Sequence, residues 1–437
     1  MIRRPTRLAA FLGVLTTLGI GPAARSEDWF ATNLDPLVKF YQARHAEPEL
    51  SFQEKATSAS LAAALKEAGA EVTTGVGVYG VVGVLKNGQG PTVLVRSDLD
   101  ALPVTEQTGL PFASKVKATD KDGKAVGVMH ACGHDVHMTC LLGTAQWLAS
   151  HKDAWKGTVV LVGQPAEEMI GGAKAMLADG LYSRFPKPDY ALALHVVNDQ
   201  PTGAVVYTSG PAFASSTSVN LTIKGRGGHG AAPHLTVDPI VLAALVVLDL
   251  QSIVSREIVP LQPSVVTVGS IHGGTKHNII SDEVKLQLTL RAYREDVRIK
   301  LLDGIKRRIA GLAEAHGAPE PVFEVAEGTP PTVNTPALVE RIVPALKRTL
   351  GAARVLPVEP VMGAEDFGLF GSGGVPTFMF RIGTIPPDKL RNAREGREPL
   401  PSLHSATYFP DAPESIRTGV RAMTSAVTEL LPVGGVR

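Results

Sequence analysis

Residues 158–168 read Thr158-Val159-Val160-Leu161-Val162-Gly163-Gln164-Pro165-Ala166-Glu167-Glu168, an apolar run that passes straight into two adjacent carboxylates. A run this short and this rich in β-branched residues, closed by Gly163 and Pro165, reads as a buried strand. A strand without a polar face belongs in a parallel sheet covered on both sides. Helix-like stretches flank it at 136–149 and 173–178, and further short apolar runs stand at 80–85, 92–96 and 190–194. Two earlier segments, 34–44 and 54–68, also carry helical spacing. This alternation predicts an α/β domain with a central, mostly parallel sheet.

The pattern changes after residue 215. A strand at 218–224, a helix at 239–252, strands at 264–272 and 284–294 and a helix at 296–316 spell β-α-β-β-α. Such a unit predicts a smaller α+β, ferredoxin-like module inserted in the first domain. The chain then divides into a leader (1–26), a first catalytic part (27–214), a lid or dimerisation module (215–325) and a second catalytic part (326–437).

The whole chain has 437 residues with 44 Gly and 32 Pro, which suits a loop-rich globular protein rather than a low-complexity one. A net charge of +1 with no basic cluster argues against nucleic acid as a partner. Arg3, Arg4 and Arg7 precede an apolar stretch at 8–20, and Ala24-Arg25-Ser26 offers a cleavage site. That stretch is shorter than the ~20 residues of a spanning helix, so it reads as a secretory signal, with an N-terminal anchor as the alternative. A periplasmic or secreted protein without stable membrane insertion is expected. Losing the leader removes four arginines and no acids, turning the net charge to −3. Two cysteines can form one bridge or do chemistry, and the count leaves both open.

The chemistry gathers after strands. Asp98 and Asp100 follow the 92–96 run, Glu167 and Glu168 follow 158–162, His195 ends 190–194, and His130-Ala131-Cys132-Gly133-His134-Asp135 leads into a helix. Ligands of open α/β sheets collect at the carboxyl ends of strands. Cys132, His134, Glu168 and His195 supply thiolate, imidazole and carboxylate, donors for Zn, Mn, Co or Ni. In an extended loop Cys132 and His134 would share one side, with Asp135 capping the following helix. Of the adjacent Glu167 and Glu168, one can ligate while the other takes the proton of a metal-activated water. Two G-x-G-x-x-G matches, at 75–80 and 225–230, do not open helices and carry no nucleotide site.

Met129-His130-Ala131-Cys132-Gly133-His134-Asp135-Val136-His137, Gln164-Pro165-Ala166-Glu167-Glu168 with Gly171-Gly172-Ala173, and Gly363-Ala364-Glu365-Asp366-Phe367 resemble the hippurate hydrolase and indole-acetyl-amino-acid hydrolase group of metallo-aminoacylases and carboxypeptidases. Pro48-Glu49-Leu50-Ser51-Phe52, residues 96–103 and 224–229 extend the resemblance over about residues 34–430. It implies two divalent metal ions per subunit on Cys132, His134, Glu168, His195 and His404, with Glu167 as general base. It implies that the lid's His229 polarises the scissile carbonyl, across a homodimer if the lid pairs. Asn278 and Arg291 match positions that contact the carbonyl and the substrate carboxylate, and Asp100 an aspartate that orients a metal-bound histidine. The implied substrate is a small N-acyl amino acid; the alternative is a short peptide cleaved by a carboxypeptidase or dipeptidase. A ligand-binding or regulatory protein without catalysis would have lost one of these side chains. Ala406, the segment after His195 and the segment 278–281 lack the prolines usual in the family, which bears on loop shape and acyl specificity. His45, His151, His234, His272, His277 and His316 read as structural, surface or substrate-edge residues, as does His137, which lies close enough to His134 to support the ligands. Cys140 reads as a buried apolar residue.

Overall fold

The computed structural model describes residues 22–434. The expected leader lies outside the described residues up to position 21, and positions 22–26 begin the first helix. In chain order the first part comprises helices α1 (Pro22–Ala46) and α2 (Lys55–Glu67) and strands β1 (Glu71–Val76), β2 (Gly80–Asn87) and β3 (Thr92–Asp98). Then come α3 (His134–Ser150), β4 (Gly157–Gln164), α4 (Gly172–Ala178), β5 (Tyr190–Pro201) and β6 (Val205–Tyr207). The inserted module holds β7 (Ser215–Lys224), α5 (Pro239–Arg256), β8 (Ser264–Gly273), β9 (Glu283–Ala292), α6 (Glu295–Ala315) and β10 (Val322–Thr329). The chain returns through α7 (Pro336–Leu350), β11 (Val355–Pro357), β12 (Thr377–Ile385) and α8 (Ala412–Leu430).

The first sheet has eight strands in the order β1-β2-β4-β3-β5-β12-β6-β11. Its middle four, β4, β3, β5 and β12, are mutually parallel. β3 and β4 are buried along nearly their whole length and β12 along all of it, as the unbroken apolar runs require. One face is covered by α1, α2, α3, α7 and α8 around Leu37, Leu61, Leu141, Ile342 and Val420, and the other by α4 and the Phe367 to Phe370 segment. Helix α3 is buried almost all round because it sits between α1, α8 and the sheet.

The lid sheet is antiparallel, ordered β8-β9-β7-β10. Alternate residues of β7 and β9 are buried, and only one face is covered, by α5 and α6. Leu242, Val246, Leu250 and Ile253 of α5 point inward, each contributing about 1.5–3 kcal/mol by burial. The β-α-β-β-α reading lacked the fourth strand: β10 crosses the expected boundary at 325 and ends at Thr329. Its residues Val322, Val325 and Ala326 are exposed or nearly so, which weakened the period-two pattern that would have revealed it.

Candidate metal centre

The centre sits where the parallel strands β3 and β4 stop, beside β5, which runs on past them. Asp98 at the end of β3 pairs in register with Gln164 at the end of β4, and Arg96 pairs with Ala193, which brings His195 level with Asp98. β5 continues to Pro201, so His195 lies within its strand rather than at the strand's end as the sequence suggested.

Cys132 and His134 reach this line through a turn, not an extended loop. Gly133 adopts φ +74°, and a Cβ there would lie 2.7 Å from Val196 Cγ2. Gly133 is the N-cap and His134 the first residue of α3, which displaces Asp135 from the expected capping role. Asp135 instead accepts from its own neighbour's N–H, Val136, and meets buried His45 at 2.6 Å, whose other ring nitrogen lies 3.0 Å from Glu106.

His134 and His195 are each fixed by Nδ1. His134 donates Nδ1–H to the Asp100 carbonyl at 2.8 Å and His195 donates to the Val196 carbonyl at 2.7 Å, which turns Nε2 of each ring toward the cluster. Cys132 Sγ stands 3.5 Å from His195 Nε2 and 3.3 Å from His404 Nε2. Glu168 Oε1 lies 3.5 Å from His404 Nε2 and 3.8 Å from His134 Nε2. His134 Nε2 and Glu168 Oε1 are buried and make no hydrogen bond. Orphaned donors of these types, converging within 4.8 Å, fit divalent cations. Cys132 belongs to two triads, one with His134 and His195 and one with Glu168 and His404. His404 reaches in from a φ of +67°, a strained backbone tied down by its N–H to the Ala131 carbonyl at 2.9 Å.

The field is negative. Burial opposes the charge on His134, but Asp98, Asp100 and Glu168 outweigh it and hold the imidazole at about 10. Burial, then Glu168 and Glu167, pushes the Cys132 thiol well above its ordinary range. Burial, then Glu365, Glu168 and Asp366, does the same to Glu167. Glu167 faces the cluster, its Oε2 4.0 Å from His134 Nε2.

Asp100 does not touch the reacting space. Its carboxylate accepts the N–H groups of Glu167 at 3.1 Å and Glu168 at 3.0 Å and the Ser51 hydroxyl at 2.6 Å. It therefore positions the Glu167-Glu168 turn as well as His134, a wider part than sequence assigned and a positioning rather than a catalytic one. His137 uses both nitrogens, accepting from Val196 N–H at 2.9 Å and donating to Asp98 at 2.7 Å, which leaves it no lone pair for a metal.

A cleft of about 600 Å³ opens on the cluster, lined by Cys132, Glu167, Glu168, His195, His404 and the lid's Arg291. His229 and Asn278 are not brought there. They lie together and exposed on the lid, where His229 pairs with Ile279 and the Gly230 N–H donates to the Asn278 carbonyl.

Several residues escaped sequence reasoning. Buried Arg96 binds Asp98 at 2.8 Å, Glu365 at 2.9 Å and Asp366 at 3.2 Å beneath the site. Glu54 accepts the Ala166 N–H at 2.7 Å, holding Ala166 at φ +49° ahead of the two glutamates. Arg381 lines the cleft from β12. Arg96, Glu365 and Asp366 stood inside recognised motifs without a role; Glu54 and Arg381 carried no local signal.

Residues 94–426 match the model of peptidase family M20/M25/M40. The chain is 37% identical to thermostable carboxypeptidase 1 of Saccharolobus solfataricus, over 85% of this chain and 88% of that one. It is 38% identical to the hippurate hydrolase of Campylobacter jejuni, over 75% and 82% respectively. The YxeP protein of Bacillus subtilis, a dinuclear metal binding peptidase, superposes with a TM-score of 0.75 at 27% identity, covering 92% of this chain and 99% of that one.

Proposed function

The chain belongs to peptidase family M20/M25/M40 as a metal-dependent hydrolase acting on amides, and from that premise we propose that it cleaves N-acyl or N-aroyl amino acids with Glu167 as general base. The observation that carries this reading is the placement of Glu167. It is buried, next in sequence to a ligand-type carboxylate, and faces the same cleft as the cationic Arg291. Cys132, His134, Glu168, His195 and His404 would hold two divalent ions, which supply Lewis-acid activation of a water whose pKa they lower from about 15.7 toward ~7. Glu167 takes the proton of the attacking water and delivers it to the leaving amine. Arg291, half-buried on the lid with no ion-pair partner among the described residues, receives the amino-acid carboxylate.

Glu167→Ala tests this directly. It should retain its metal by elemental analysis and lose benzoyl-glycine hydrolysis by about 10²–10⁴-fold; full activity with full metal content would refute it. The carboxypeptidase or dipeptidase reading is favoured by the kinship to the S. solfataricus enzyme, and a panel of benzoyl-glycine, acetyl-amino acids and dipeptides separates the two.

The same reading includes a homodimer through the lid. Helix α5 carries a second apolar stripe of Val241, Ala244, Leu245 and Leu248 facing away from its own core, next to the open edge strand β8. By length and composition α5 could also cross a membrane, with a mean hydropathy of 1.7, but its inner stripe is packed on the lid sheet. Pairing there would carry His229 toward a neighbouring cleft. Export completes the proposal, on the strength of Arg3, Arg4, Arg7 and the 8–20 stretch; the mature protein should begin at Glu27 in an extracytoplasmic fraction.

A further inference from the structure

Beside the metal cluster the cleft holds a second arginine that amide hydrolysis does not require. Arg381 pairs in register with His195 across the parallel strands β12 and β5, so its side chain leaves the sheet on the same side as that ligand. Arg381 is 9% exposed and lines the cleft. Among the described residues no carboxylate stands within ion-pair distance. Its contacts are a long 3.4 Å bond from Nη2 to the Glu359 carbonyl and the Phe213 ring, 5.8 Å away. Burial pulls its basicity down, and exposed Asp199 with Tyr293 offsets this only in part. A desolvated guanidinium without an ion-pair partner is unfavourable unless a ligand supplies the anion, and its fork matches a carboxylate.

Arg381 and Arg291 share one wall. Phe213 carries Arg381 on its face and lies 6.3 Å from His195, while Ser216, three residues on, is the register partner of Arg291. Both cations thus border the 213–216 segment where the chain enters the lid. With Arg291 assigned to the α-carboxylate, a second cation lining the same cleft is available to the side chain of the same amino acid.

Resting on the proposed amide hydrolysis, we infer that Arg381 forms a second anionic subsite and that the enzyme takes N-acyl derivatives of acidic amino acids, an N-acyl glutamate or aspartate.

The test compares kcat/KM for N-acetyl-glutamate and its neutral isostere N-acetyl-glutamine on the manganese-loaded full chain. A buried charge-assisted pair predicts a preference for glutamate of about 10- to 100-fold. Arg381→Gln should bring that ratio close to unity, mainly through KM, and Arg381→Lys should keep part of it. No preference in the wild type, or an equal loss on both substrates in Arg381→Gln, would reduce Arg381 to a strut for Phe213 and overturn the inference while leaving amide hydrolysis intact. N-succinyl-glutamine cleaved in preference to N-acetyl-glutamate would place the second carboxylate on the acyl side and overturn it equally. Calorimetry with glutarate reads the subsite without turnover: weaker binding to Arg381→Gln supports it, and equal binding refutes it. Failure to hydrolyse any of these substrates or benzoyl-glycine would count against the proposed function instead.

Discussion

Asp100→Asn isolates what one buried carboxylate does for the metal centre. Native Oδ1 accepts the Glu167 N–H at 3.1 Å, while Oδ2 accepts the Glu168 N–H at 3.0 Å and the Ser51 hydroxyl at 2.6 Å. Asparagine keeps the shape but offers one oxygen, and its NH₂ must face a donor whichever way the amide lies. The better orientation leaves the oxygen with Glu168 and Ser51 and sets the NH₂ against the Glu167 N–H. An orphaned buried donor costs about 1–3 kcal/mol, and the surviving bonds lose charge assistance, which is roughly half their strength. The damage falls on the turn that aims Glu167 and Glu168, because His134 is still held through the main-chain carbonyl of residue 100. Metal affinity should therefore fall about 10- to 100-fold, and kcat with it, in a protein that still folds. Competition of the variant with a chromophoric chelator for Zn, read beside kcat on benzoyl-glycine and a melting curve, measures each quantity. A folded Asp100→Asn with affinity and kcat both within about twofold of the parent would refute the positioning role.

Cys132→Ala should lose its metal by elemental analysis. Cys140→Ala should keep it at a stability cost of roughly 1 kcal/mol, since Cys140 Sγ only faces the Ile416 carbonyl on α8, 3.9 Å away. Burial would lower the His45 pKa, but hydrogen bonds to Asp135 and Glu106 prevail and push it up to about 10 from 6.5. Its stabilisation is complete below pH 6.5 and is lost as pH rises through about 10, so the gap in Tm between wild type and His45→Gln should shrink across that window. A gap that does not change with pH would contradict the ion-pair account. Leu248→Asp, on the outer stripe of α5, should yield monomers by light scattering and sharply reduced hydrolysis; an unchanged dimer mass would exclude that helix as the interface.

The parallel sheet was legible because strands buried on both faces cannot hide their composition, and 158–162 sits wholly within β4. The cluster of metal-capable residues was legible because chemistry constrains residue type, whatever the backbone does around them. What surrounds them was not. Asp135 reads as a cap, yet Gly133 takes that position because Val196 leaves no room for a side chain there. The support from Glu54 to Ala166, and from Arg96 to Glu365 and Asp366, joins residues 112, 269 and 270 positions apart, beyond any local periodicity. β10 was missed for the opposite reason, since a strand with exposed apolar residues on both sides has no alternation to read.

Cys132 stands in two of the candidate triads, so two ions held there would share one sulfur atom. Whatever happens to that atom happens to both. Alkylation or oxidation of a single thiol would remove the whole catalytic metal complement, and Cys140, turned toward α8, is no neighbour with which to form a reversible disulfide. In an oxidising compartment the working lifetime of the protein would then be set by how well its metals shield one atom.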